Sequence, residues 1–131
     1  MIELLAPGGN KVKMKTAFDY GADAVYIGGD VFGLRANADN FTLDEIAESV
    51  EYADSIHKKI YVTMNIIARN RDLPDMAKYA RELSQAGVHG VIISDPGAFL
   101  TVKEAAPELP IHVSTQANNL NWRTCEFWHK M

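Results

Sequence analysis

The sequence predicts an α/β fold: a parallel (βα)5 array forming an incomplete portion of a TIM-type (β/α)8 barrel. Two observations carry that expectation. Five short apolar runs, Ile2–Ala6, Ala24–Gly28, Ile60–Ile67, Gly90–Ser94 and Ile111–Thr115, each end in a polar or glycine cluster and hand over to a helical pattern. Such alternation marks parallel strands covered by crossover helices. The chain has 131 residues, whereas an eight-stranded barrel needs about 250.

The first unit runs from Ile2 through Pro7-Gly8-Gly9 to Asn10, an N-cap for a helix that starts at Lys11 and stops at Gly21. Strand two ends in Gly28-Gly29, and a longer loop leads to Thr42 and Glu45, which form a T-x-x-E capping box. The following helix repeats apolar residues at Leu43, Ile46, Ala47, Val50 and Ala53. Strand three is rich in β-branched and aromatic residues. After it, Asp72 is the expected cap of a helix whose buried side carries Met76, Ala80 and Leu83, ending at Gly87. Asp95 followed by Pro96 opens the fourth helix, Pro107 and Pro110 bracket the turn into strand five, and Asn121 caps a last helix from Trp122. No linker interrupts this succession, so residues 1–131 are expected to form a single domain.

Composition narrows the function. The chain is 47% hydrophobic and 23% charged, with 13 basic against 17 acidic residues and a net charge of −4. It therefore has no global field to attract nucleic acid, although a local basic patch stays possible. The lone Cys125 excludes an internal disulfide and a cysteine-only metal site within one chain. No run reaches the roughly 18 apolar residues of a membrane span, and Glu3 inside the first strand argues against a signal peptide. A cytoplasmic protein is expected, with no membrane partner.

Ligands of parallel α/β folds bind at the carboxyl ends of the strands. That rule nominates Arg35, Asn37, Asn65, Ser94, Asp95, Ser114, Gln116 and Asn118 as substrate-binding residues. Catalytic residues stay unassigned, because neither a Ser/His/Asp order nor HExxH occurs. No metal site is expected: His57, His89 and His129 fall at the other end of the strands, and His112 sits alone in a strand. Several candidates have plainer readings. Asp95 serves equally as a helix cap, the glycine pairs as simple turns rather than a phosphate cradle, and Arg35 as a solvated charge. Trp122, Cys125 and Trp128, spaced i, i+3, i+6, read as a core-facing or interface stripe. Ser114 to Asn119 is the richest polar stretch, supplying hydrogen bonds without an activated nucleophile.

Six segments together resemble the amino-terminal half of the peptidase U32 family: 3–10, 19–29, 32–38, 61–67 with 70–72, 91–97 and 110–118. Glu3-Leu4-Leu5-Ala6-Pro7-Gly8-Gly9-Asn10 and Pro110-Ile111-His112-Val113-Ser114-Thr115-Gln116-Ala117-Asn118 are examples. The resemblance implies a (β/α)-barrel parent. It implies RNA hydroxylation, of a tRNA uridine with prephenate or of a ribosomal RNA cytidine, or else collagenase-like proteolysis by a hydrolase. A non-enzymatic folding or interaction module is the third reading, and the 131 residues alone are expected to be inactive. It also implies an iron–sulfur cluster in the full-length parent, held by cysteines absent here, so that no cofactor belongs to this stretch. Prephenate, a small carboxylated metabolite, and RNA are the partners implied for the parent, with Arg35 as carboxylate anchor and Gln116 and Asn118 in support. Strands one and five would leave open edges, through which the chain is expected to self-associate.

Overall fold

A computed structural model describes residues 2–33 and 40–131 of the chain. In chain order the elements are β1 (Leu5–Pro7), α1 (Lys11–Asp19), β2 (Ala24–Gly28), α2 (Leu43–Ser55), β3 (Lys59–Thr63) and α3 (Leu73–Gln85). They continue with β4 (Gly90–Ile93), α4 (Pro96–Ala105), β5 (Ile111–Val113) and α5 (Trp122–Lys130). The strands form one sheet in the order β1-β2-β3-β4-β5. Every neighbouring pair is parallel. The fold is the open (βα)5 array read from the sequence.

Alternation along the strands decides which face is dry. The register aligns Val25 with Ile60, Ile27 with Val62, Val62 with Val91, and Ile93 with Val113. Of this row, Val25, Ile27, Ile60, Val62, Val91 and Ile93 are buried, in one core with Met14, Ile46, Val50, Met76, Leu83 and Val102 from the helices. Leu5, Tyr26 and His112, from the alternate positions, are exposed. Val62 therefore lies on the helix side of the sheet and not on the face that would line a barrel interior, and Leu4 precedes β1.

The helix starts follow their capping chemistry. Asn10 accepts from the Lys13 N–H, Thr42 and Glu45 complete their capping box, Asp95 accepts from the Ala98 N–H, and Asn121 accepts from the Thr124 N–H. Asp72 departs from expectation. Its carboxylate accepts from the Arg69 N–H at 2.8 Å, closing the turn before α3 instead of capping the helix.

Three strands end elsewhere than the apolar runs suggest. Residues 2–4 stay outside β1 because the Asp23 carboxylate takes the Leu4 N–H at 2.9 Å. Pro7, which has no N–H to give, ends this edge strand. β3 stops at Thr63 because the chain then turns away, the Ile66 N–H donating to the Phe32 carbonyl at 3.2 Å. β5 stops at Val113, where Ser114 caps a 3₁₀ turn over Thr115–Ala117 and Asn118 closes it at φ 58°. The aromatic stripe on α5 is only partly a packing face: Trp128 lies 5.4 Å from the Phe99 ring, whereas Trp122 and Cys125 are exposed.

Gly29 holds the second βα corner against α3. A Cβ there would stand 2.1 Å from the Tyr79 hydroxyl, which is buried with no hydrogen-bond partner among the described residues. Burial pushes the Tyr79 phenol well up. Gly29→Ala should destabilise the chain by about 1–3 kcal/mol through this clash. Tyr79→Phe, which deletes an unpaired hydroxyl, should leave stability within about 1 kcal/mol of the parent. Urea midpoints of the two variants check both.

Among the described residues β1 and β5 each pair on one side only. We propose that these edges recruit further copies. Light scattering at micromolar concentration should report at least twice the 14.5 kDa chain mass; a cooperative monomer would contradict it.

Candidate functional site

The open face of the sheet and the carboxyl ends of the strands frame a cleft of about 640 Å³. Its floor carries Tyr26, Thr63, Ile92 and His112 from β2, β3, β4 and β5, and its rim includes Asn65, Ser114, Thr115 and Gln116. The sheet register explains the floor: Thr63 pairs with Ile92 and Ile92 with His112, so these side chains stand in one row.

Of the nominated residues, Asn65, Ser114 and Gln116 come together in the cleft. The Asn65 side-chain amide donates to Gln116 Oε1 at 3.0 Å, bridging the ends of β3 and β5. The Gln116 N–H donates to Ser114 Oγ at 3.2 Å, within the turn that follows β5. Ser94 and Asp95 occupy the β4–α4 corner beyond the cleft lining, and Asp95 is engaged as the helix cap. Asn118 also lies outside the lining, in the left-handed position that closes the 3₁₀ turn. Arg35 and Asn37 lie outside the described residues.

His112 belongs to the cleft although the sequence reading set it aside. That reading sought a second metal ligand, and among the described residues no group of His, Cys, Asp and Glu could hold a metal ion. The usable signal was the alternation Ile111-His112-Val113, which puts the imidazole on the face opposite its two apolar neighbours. His89 lies at the other end, taking the Ile60 N–H at 3.1 Å on Nδ1 and meeting Asp54 at 3.0 Å through Nε2.

Beneath His112 lies a hydrogen-bonded row. The Tyr61 and His112 ring centroids are 4.4 Å apart, and the Tyr61 hydroxyl donates to Glu3 Oε1 at 2.6 Å. Lys59 donates to Glu3 Oε2 at 2.7 Å. The Lys59 bond first and the Tyr61 bond second hold the Glu3 carboxyl below the usual glutamate range, against an opposing effect of burial. Burial and the bond to Glu3 raise the Tyr61 phenol. Chemically, the cleft offers neutral hydrogen-bond donors and one imidazole. Among the described residues no hydroxyl in its lining is hydrogen-bonded to a histidine or a carboxylate that could take its proton; Thr63 Oγ1 donates instead to the Ile27 carbonyl.

A residue whose folded pKa is depressed stabilises the fold above its unfolded value and loses that contribution as pH falls through the folded one. Glu3→Gln should therefore be less stable than the parent near neutrality, by up to about 1 kcal/mol for so accessible a pair. It should match the parent in strong acid. Urea midpoints across the acid range check the convergence.

Comparison with known proteins places this geometry. The peptidase family U32 model matches residues 9–131. The chain is 50% identical over 126 residues to tRNA hydroxylation protein P1 of Bacillus subtilis, covering 96% of this chain and 30% of that protein. It is 40% identical over 129 residues to tRNA hydroxylation protein P of Escherichia coli, covering 98% of this chain and 28% of the relative. The chain thus spans less than a third of the length of these curated relatives. Among solved structures, the U32 peptidase Mk0906 superposes with a TM-score of 0.63 at 16% identity, over 86% of this chain and 47% of that one. That likeness shows the shared fold. The chain belongs to peptidase family U32.

Proposed function

Proceeding from membership of that family, we propose that the chain supplies part of the small-molecule cleft of an RNA-hydroxylation protein acting on tRNA. In this reading the cleft takes a carboxylated metabolite, with prephenate the leading candidate. The observation that carries it is the 50% identity to a tRNA hydroxylation protein across 96% of the chain. The cleft supports it chemically, since its described lining contains no aspartate or glutamate to repel a carboxylate. Arg35, whose guanidinium can pair both oxygens of a carboxylate, is the proposed anchor. Asn37, Asn65, Ser114 and Gln116 are the proposed hydrogen-bonding groups, and Ser94, Asp95 and Asn118 shape the neighbouring corners.

The residues of this chain do not fit an iron–sulfur cluster. Cys125 is its single cysteine and lies exposed on α5. In the proposed complete protein such a cluster would draw its cysteines from outside these 131 residues. The chain's own share of the work is to bind and orient the metabolite, and the 131 residues alone are proposed to be inactive.

Proteolysis is the second reading. Its support is the family name together with the fold shared with the U32 peptidase. Three measurements on the complete protein test these readings. Nucleoside mass spectrometry of tRNA from cells lacking this activity should show the hydroxylated uridine restored by the wild type, and peptide cleavage should be absent. Calorimetry should show Arg35→Ala weakening prephenate binding by about tenfold or more, the loss of a paired charged contact. Unchanged affinity would return Arg35 to the solvated surface, and cleavage without tRNA hydroxylation would favour the peptidase.

A further inference from the structure

We infer that His112 is the anion-recognising group on the described wall of the cleft, and that its charge sets the affinity for small carboxylates. The inference deepens the reading of the cleft as a metabolite site and rests on it.

The lining itself is the first observation. Among its described residues there is one imidazole, that of His112, and no aspartate or glutamate. The remaining polar groups are hydroxyls and amides. Gln116 Oε1 is occupied by Asn65, while its Nε2 donates to no partner among the described residues and is available to a ligand. A surface of donors with one group able to become cationic suits an oxyanion.

The placing of the imidazole is the second. Its ring lies over Gly90 and reaches the ring of Tyr61, the residue paired with Gly90 on β3, at 4.4 Å between centroids. A Cβ at residue 90 would stand 3.1 Å from His112 Cδ2, 3.2 Å from Nε2 and 3.0 Å from the Pro110 carbonyl oxygen. The ring can settle there because residue 90 has no side chain. Neither ring nitrogen has a hydrogen-bond partner among the described residues, and the residue is exposed to the cleft. A histidine held in position with unengaged nitrogens has hydrogen bonds to give to a ligand.

The charges around it are the third. On the open face the described titratable groups near the ring are Glu3 ahead of β1, Tyr26 on β2, and Lys59 and Tyr61 on β3, with none on β4. Glu3 is engaged on both oxygens, by Lys59 and by the Tyr61 hydroxyl. The Lys59–Glu3 pair sums to zero, so protonation of His112 gives this wall a net positive charge. Histidine is the side chain whose charge changes near physiological pH. Carboxylate binding should therefore tighten as pH falls.

Isothermal calorimetry on the 131-residue chain tests this with two probes, prephenate and the plain dicarboxylate fumarate, at about pH 6 and about pH 8 and constant ionic strength. The wild type should bind each roughly threefold or more tightly at the lower pH. His112→Gln, which keeps a donor but no charge, and His112→Phe, which keeps the ring on Tyr61, should each bind with a pH-independent affinity. By linkage, saturating fumarate should move the His112 Cε1–H titration midpoint upward in the NMR spectrum, a change that a purely packing role would not produce. Equal wild-type affinity at the two pH values, pH dependence that survives in His112→Gln, or no binding of either probe overturns the inference. His112-dependent fumarate binding with prephenate bound no more tightly would uphold it and sink the prephenate reading. Tight prephenate binding unaffected by either substitution would do the reverse.

Discussion

Everything in this molecule hangs on the side-chain row that the strands turn toward the helices. Val25, Ile27, Ile60, Val62, Val91 and Ile93 are each at most 1% exposed. Burying a side chain of this kind contributes about 1.5–3 kcal/mol. Because strand side chains alternate, fixing that row also fixes what the other face presents. A slip of one residue in β5 would turn His112 toward the helices and Ile111, which packs against the core, toward the cleft. The polar floor is thus a geometric consequence of the apolar core, held by the same register.

Much of the architecture was legible because its signals are local. Asn10, Thr42 with Glu45, Asp95 and Asn121 cap their helices as the sequence indicates, each through a side-chain oxygen and a backbone N–H three residues on. Gly21 and Gly87 take positive φ values where the helical patterns stop. Strand ends were harder to read, since they depend on partners distant in sequence. Nothing near Ile66 announces that its N–H goes to Phe32, and nothing near Leu4 announces that Asp23 takes its N–H. Apolar character continued past these points, so the runs overestimated β3 and misplaced β1.

The cleft was legible in outline and misjudged in detail. The strand-end rule found Asn65, Ser114 and Gln116, which the 3₁₀ turn and the Asn65–Gln116 bond bring together. The same rule also nominated Asp95, whose carboxylate caps α4. His112 was passed over because the search was for a metal cluster, whereas its environment comes from Tyr61 and Gly90 on two other strands. In the sequence Glu3 counted only as a charge inside the first strand that argues against a signal peptide. In the fold it joins Lys59 and Tyr61 under the cleft floor, a contact across more than fifty residues of sequence.

The central claim is that the ligand surface is the open face at the strand carboxyl ends, and not the shallow depression of Asn10, Lys11 and Glu45 beside α1 and α2. Backbone amide chemical-shift mapping of the chain with prephenate tests it most directly. The account predicts perturbations concentrated at Thr63, Asn65, His112 and Ser114 to Gln116. Shifts centred on Lys11 and Glu45, or none on the open face, would contradict it.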